Sequence, residues 1–259
     1  MNYIGSKQKL SDFLKSHIDD IAKPSKDTVF CDIFAGTGAV GRIFKKDVKK
    51  VIANDREAYS FTLCRNYIGN HEAKDRTDML DELNDLSGVQ GFVFEHYSFD
   101  GVSGRQYFSS ENGQKIDAIR TEIDKWLRCK KINEDDYYFL LASLLEAADK
   151  VANTASVYGA YLKHLKKSAE KPLGLKPALY DINDNSHEVY NEDANELIKK
   201  IEGDILYLDP PYNAREYGAN YHLLNTIALY DDFLPKGKTG LRDYERSRYC
   251  KKSEAKVAF

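Results

Sequence analysis

The stretch Val29-Phe30-Cys31-Asp32-Ile33 runs without a break into Phe34-Ala35-Gly36-Thr37-Gly38-Ala39-Val40-Gly41. A short apolar run followed at once by a glycine-rich turn reads as a buried strand that hands over to a helix. Gly36, Gly38 and Gly41 satisfy the spacing G-x-G-x-x-G. Such glycines allow a tight reversal and close approach of backbone to a ligand or to a neighbouring element. This feature confines the chain to an α/β fold with strands in parallel, and it puts any ligand beyond the carboxyl ends of those strands.

The same spacing serves nicotinamide and flavin dinucleotides, whose pyrophosphates sit at the helix start. Asp32 argues for a different ligand. A carboxylate at the strand end repels a pyrophosphate and attracts a cationic amino acid group such as that of S-adenosylmethionine. Phe34, between Asp32 and Gly36, is placed to touch such a cofactor, although core packing is its ordinary use. Lys50-Val51-Ile52-Ala53-Asn54 reads as the second strand. Asp55 follows it, where an acid holds ribose hydroxyls. Dinucleotide enzymes use that position too, so Asp55 does not discriminate between cofactors.

A second strand-to-turn signal lies far downstream. Ile205-Leu206-Tyr207-Leu208 leads into Asp209-Pro210-Pro211-Tyr212. Prolines stiffen the backbone after the strand. A planar base stacked on Tyr212 would donate its amino hydrogens to the Asp209 carboxylate and the Pro210 carbonyl, an arrangement suited to methyl transfer onto nitrogen. Asp-Pro and Pro-Pro pairs are also common chain breakers, and that plain reading stands beside the chemical one.

Taken in order, these motifs resemble the adenine-specific DNA methyltransferases of the Dam-like (alpha) group, in which the glycine-rich motif comes first and the target-recognition region precedes the catalytic motif. Tyr3-Ile4-Gly5-Ser6-Lys7 looks like that group's amino-terminal cofactor motif, which implies that Tyr3 and Lys7 hold the methionine part of S-adenosylmethionine. Glu192-Asp193-Ala194, after a short strand near His187 to Tyr190, resembles the acidic motif that accepts a hydrogen bond from the cofactor's adenine. Apart from the resemblance, Lys7 is an ordinary solvated lysine and Asp193 an N-cap. Asn153 to Lys163 resembles a segment near the target pocket, which brings Tyr158 and Lys163 toward DNA. The resemblance implies a Rossmann-like S-adenosylmethionine-dependent sheet, a catalytic domain made of residues 1–73 and 186–259, and a mostly helical target-recognition insertion over 74–185. It further implies double-stranded DNA as substrate and a restriction-modification system as setting.

Composition fits that picture. The 259 residues can bury a sizeable core in one domain, or in one domain with an insertion. Cys31, Cys64, Cys129 and Cys250 show no paired spacing, so neither disulfides nor zinc are expected and the compartment reads as a reducing cytoplasm. No apolar run approaches the roughly 20 residues that span a bilayer, so no membrane role is expected. The formal net charge is -3. Its distribution matters more than its sum, because Lys163, Lys166, Lys167, Lys171 and Lys176 form one basic cluster and residues Lys236 to Lys252 form another. Solvated helix faces are the plainer explanation of such runs.

Helical spacing runs from Asp75 to Leu86 and from Glu111 to Ala152, with Ile116, Ile119, Ile123, Trp126 and Leu127 as one apolar set. Between these stretches, Phe92 to Phe99 and the residues through Phe108 read as an aromatic loop. Arg105 and Gln106 in that loop are candidates to read bases. After the catalytic motif, Arg215 and Tyr217 are placed to close over a flipped base, and Asn220 and His222 to contact DNA. Tyr221, Leu224, Ile227 and Ala228 mark an amphipathic helix. Strands near Val29, Val51, Val189 and Ile205 make fewer than such methyltransferases usually have, so the sheet reads as incomplete on its carboxyl-terminal side. Partners expected on that ground are a cognate restriction endonuclease or a complementary carboxyl-terminal fragment. The competing functions are a binding protein without turnover and a methyltransferase of RNA or of protein glutamine.

Overall fold

The computed structural model describes residues 7–211 and 216–247. In chain order its elements begin with a 3-10 turn (Lys7–Leu10), helix α1 (Ser11–Ala22), strand β1 (Val29–Asp32), α2 (Ala39–Phe44), β2 (Lys50–Asn54) and α3 (Ala58–Cys64). Next come α4 (Thr77–Asn84), α5 (Phe92–Tyr97), α6 (Ser110–Arg128) and α7 (Glu134–Val151). The chain continues through β3 (Glu188–Tyr190), α8 (Ala194–Leu197), β4 (Ile205–Tyr207), α9 (Tyr217–Asn220) and α10 (His222–Leu229). The described residues fall into two compact units, one holding 7–75 and 178–210, the other 76–177, 211 and 216–247.

The first unit carries a four-stranded sheet in the order β3-β2-β1-β4, parallel at every pairing. These are the strands expected near Val29, Val51, Val189 and Ile205. Phe30 pairs with Val51 and with Ile205, and Asp32 with Ala53 and with Tyr207. Successive side chains point to opposite faces of a strand. Phe30, Val51 and Ala53 therefore share one face, where Val40 and Phe44 of α2, Ile68, and Leu14 and Ile18 of α1 cover them. Cys31, Ile33 and Ile52 share the other face with Ala194 and Leu197 of α8. Cover is thinner at β4, where Leu206 and Leu208 are 45% and 46% exposed.

The connection to β3 is fixed by a buried histidine. His187 Nδ1 accepts a hydrogen bond from the Val51 N–H at 3.0 Å, so the ring is neutral and its proton sits on Nε2, facing Asn183 Oδ1 at 3.2 Å. Asn183 in turn donates to the Lys45 carbonyl at 2.8 Å. Lys45 is itself buried, and its ammonium is held by the carbonyls of Tyr67 and Asn70.

The second unit is helical. α6 and α7 pack as an antiparallel pair, α6 capped by Ser109 and α7 by a capping box of Asn133 and Asp136. Asp136 also takes a buried ion pair from Arg76 at 2.8 Å. Residues 92–97, expected as loop, form helix α5. The reason is a long-range cap: the Asp117 carboxylate accepts from the backbone N–H groups of Gly91, Val93 and Phe94 and from the Tyr230 hydroxyl at 2.6 Å.

Residues 216–247 belong to this helical unit, whereas the sequence reading groups 186–259 with the sheet. Their anchors are polar and buried. Arg120 donates to the last carbonyls of α10, Ile227 at 2.8 Å and Ala228 at 3.0 Å, and the Tyr97 hydroxyl donates to the Gly240 carbonyl at 2.6 Å. No helix among the described residues is long and apolar enough to cross a membrane.

Burial, aided by Lys45, His71 and Lys50, pushes the His187 imidazole down to about 4 from its ordinary 6.5. Between those values the unfolded chain binds the proton that the folded chain refuses, so stability falls as pH drops from about 6.5 to about 4. Asp32 and Asp55, raised in the fold, slope the opposite way. The measurement is therefore a difference: the advantage of wild type over His187→Asn in urea unfolding should shrink by up to about 3 kcal/mol across that window and stay constant above pH 7.

Candidate active site

The carboxyl ends of the strands gather the motif residues of the first unit. Strand order reverses between β1 and β4: the chain moves outward through β2 and β3 and then returns to the other side of β1. Open parallel sheets bind ligands at such a switch point. Asp32 closes β1 and Asp209 lies two residues past β4, on strands that are hydrogen-bonded neighbours.

Gly36 and Gly38 adopt positive φ, 54° and 74°, which explains the residue type at both positions. A Cβ on Gly38 would also press against Cys64 Sγ at 3.2 Å. Gly41 is needed for packing, since a Cβ there would lie 2.6 Å from Ile68 Cδ1. Asp55 ties the loop to β2: its Oδ2 accepts from the Gly36 N–H at 2.8 Å and its Oδ1 from the Glu57 N–H at 2.9 Å.

Three carboxylates meet here. Asp32 is 1% exposed, and neither of its oxygens has a hydrogen-bond partner among the described residues. The amides of Phe34 and Gly41 lie near it without reaching hydrogen-bonding geometry. Burial, together with the charges of Asp55 and Asp209, pushes its carboxyl up to about 7. Burial raises Asp55 to about 7 as well, against the two amides that it accepts from. Lys7 forms an ion pair with Asp209 Oδ2. The strand ends thus bring together two raised carboxyls, Asp32 and Asp55, and the lysine-paired Asp209. The orphaned buried oxygens of Asp32 suit a cationic ligand or one that donates hydrogen bonds.

Other candidates are placed as follows. Asp193 caps α8, with Oδ1 accepting from the Asn195 N–H at 2.9 Å and Oδ2 paired with Arg56 at 3.3 Å. Phe34 and Pro210 are half-buried at the same strand ends. Tyr3, Tyr212 and Arg215 lie outside the described residues.

One residue of the site belongs to none of the sequence motifs. Asn54 ends β2 and is 1% exposed. Its carboxamide bonds to the loops after β1 and after β3, a role hidden in the sequence because a polar residue at a strand end looks like the start of a turn.

In the helical unit the DNA-facing candidates separate. Lys163 is exposed, as are Lys167, Lys171 and Lys176. Tyr217 is half-buried and stacks on Tyr221 with ring centroids 6.2 Å apart. Tyr158 is not a surface residue: its side chain is fully buried and its hydroxyl lies 3.1 Å from Asp149 Oδ1. Arg105 donates from its guanidinium to the carbonyls of His96, Gly237 and Lys238. Gln106 Oε1 is buried without a partner among the described residues. His222 is likewise buried, with Nε2 donating to the Tyr158 carbonyl at 3.0 Å. The later basic cluster is partly neutralised, Lys236 by Asp243 and Arg242 by Asp231.

Residues 3–258 match the family described as D12 class N6 adenine-specific DNA methyltransferase. The chain belongs to that family. It is 62% identical, over its whole length, to the type II methyltransferase M.NlaIII of Neisseria lactamica and covers 78% of that protein. Identity is 42% to M.FokI of Planomicrobium okeanokoites, of which the chain spans 42%, and 39% to M.CviAII of Paramecium bursaria Chlorella virus 1, of which it spans 78%. No solved structure matches. Membership makes the chain a DNA adenine methyltransferase by family and implies a methyl-donor cofactor.

Because Asp32 is raised in the folded state, its contribution is most favourable below about 4 and is lost as pH rises through about 7. Asp32→Asn should therefore stabilise the ligand-free protein at pH 8 by on the order of 2 kcal/mol, and the gain should vanish by pH 4. Thermal unfolding at the two pH values checks this.

Proposed function

We propose that the chain transfers a methyl group from S-adenosylmethionine to N6 of an adenine flipped out of duplex DNA, with the motif order of the Dam-like alpha group on a Rossmann-like sheet. The observation that carries this reading is the juxtaposition of Asp209 with Asp32 at neighbouring strand ends, close enough for one charge to raise the other carboxyl. A glycine-rich loop and an amino-gripping motif on one edge are what in-line transfer needs.

When bound, the donor supplies a methyl group on a sulfonium that accepts the bonding electrons as the group departs. The chain's own residues do the rest. Asp32, whose buried oxygens have no hydrogen-bond partner among the described residues, faces the donor's positive charge, and Asp55 offers its remaining lone pairs to the ribose hydroxyls. Asp193 keeps a lone pair on each oxygen beside its bonds to Asn195 and Arg56, enough to accept from the adenine of the donor. Lys7 pairs with Asp209 Oδ2, and the target amino group is received at Oδ1. Hydrogen bonds from that amino group to Asp209 Oδ1 and the Pro210 carbonyl favour the pyramidal nitrogen lone pair as the methyl arrives, so they strengthen toward the transition state. The proton that the nitrogen sheds leaves along the Asp209 hydrogen bond. Tyr212 stacks on the flipped base and offsets part of the few kcal/mol of unstacking.

Lys163, Lys167, Lys171 and Lys176 form the electrostatic contact with the DNA backbone, and Tyr217 closes over the base. Likeness to type II methyltransferases points to a cognate endonuclease as the biological counterpart and to the cytoplasm as the place.

Asp209→Ala should abolish adenine methylation of duplex DNA, by more than about a thousandfold, while donor binding stays measurable by calorimetry. Full turnover by that variant would remove Asp209 from the mechanism. Lys163→Ala should weaken DNA binding equally across sequences and lower the slope of log K against log salt by about 1, read from binding titrations at several salt concentrations.

A further inference from the structure

The loops after β1 and after β3 belong to strands that are not neighbours, since β2 lies between them. Two strand spacings separate them, roughly 10 Å. Asn54 bridges that gap. Its Nδ2 donates to the Ile33 carbonyl at 3.1 Å and to the Glu192 carbonyl at 3.2 Å, and its Oδ1 accepts from the Glu192 N–H at 2.9 Å. The amide orientation follows from chemistry, because the Glu192 N–H can only donate. The Asn54 backbone carbonyl adds a bond from the Ala35 N–H at 2.9 Å. Ile33 lies between Asp32 and Phe34, and Glu192 immediately precedes Asp193.

We propose that Asn54 is a positioning residue that sets the separation of the two walls of the donor cleft, and so the affinity for the intact donor. The inference rests on the reading above, in which the loop after β1 holds the amino acid end of the donor and the loop after β3 holds its adenine. Two subsites on one molecule reinforce each other only when their spacing matches the ligand. Asp55 also reaches the β3 side, through its N–H to the Tyr190 carbonyl at 3.3 Å and its carbonyl from Asn191 Nδ2 at 2.6 Å. With its Oδ2 accepting from the Gly36 N–H, Asp55 also reaches the loop after β1, but through its carboxylate on one side and its backbone on the other. The Asn54 carboxamide bonds to both outer loops at once.

The test compares S-adenosylhomocysteine, which touches both walls, with adenosine, which touches one. In Asn54→Ala the dissociation constant of S-adenosylhomocysteine should rise at least about tenfold while that of adenosine changes by less than about twofold. The KM for the donor should rise with kcat at saturating donor and KM for DNA nearly unchanged. Should Asn54→Ala fail to fold, Asn54→Ser, whose hydroxyl is too short to reach both loops, carries the same expectation. Equal weakening of both ligands would reduce Asn54 to a general support of the fold and overturn the proposal. Unchanged affinity for S-adenosylhomocysteine would overturn it as well. Wild-type protein that binds neither ligand would instead sink the donor reading on which the proposal stands, a failure visible before any variant is made.

Discussion

The parallel ladder joining β1 to both β2 and β4 is the constraint from which the rest follows. Its register aligns Asp32 with Ala53 and Tyr207, so three chain segments far apart in sequence end level with one another. Asp32, the glycine-rich loop, Asn54, Asp55 and Asp209 are short extensions of those ends. The apolar side chains beneath, Phe30 and Val51 on one face and Cys31 and Ile52 on the other, hold the register, because a one-residue slip would exchange the faces.

That alignment concentrates negative charge where water is scarce. Asp32 has no hydrogen-bond partner among the described residues although it is almost wholly buried. A fold selected for stability alone would place apolar side chains there, so the site carries the strain expected of a functional one. The helical unit meets the opposite problem. It buries Asp117, Arg120 and the Arg76–Asp136 pair, and it matches each with backbone groups or an opposite charge.

What could be read in advance divides along the same line. Strands near Val29, Val51, Val189 and Ile205 were legible because local apolar runs and turn residues define them, and the long helices α6 and α7 because their periodicity is local. Helix α5 was not, since the carboxylate that caps it comes from Asp117, more than twenty positions downstream. Arg105 and Tyr158 look from sequence like surface residues that contact DNA. Their partners, the Gly237 and Lys238 carbonyls and Asp149, become visible only when distant segments meet. Asn54 shows the reverse, a residue whose position in a strand concealed a connection between two loops.

The Asp32 carboxyl, unpartnered among the described residues, couples occupancy of the site to protons. Its surroundings push it up to about 7 and burial pushes Asp55 the same way, so both carboxyls hold their protons to higher pH than a free aspartate does. Any cation that settles in the cleft must therefore displace hydrogen ions into the medium. The enthalpy of that exchange depends on the buffer that takes them up, so the pocket acts as a small acid reservoir discharged by its own occupant.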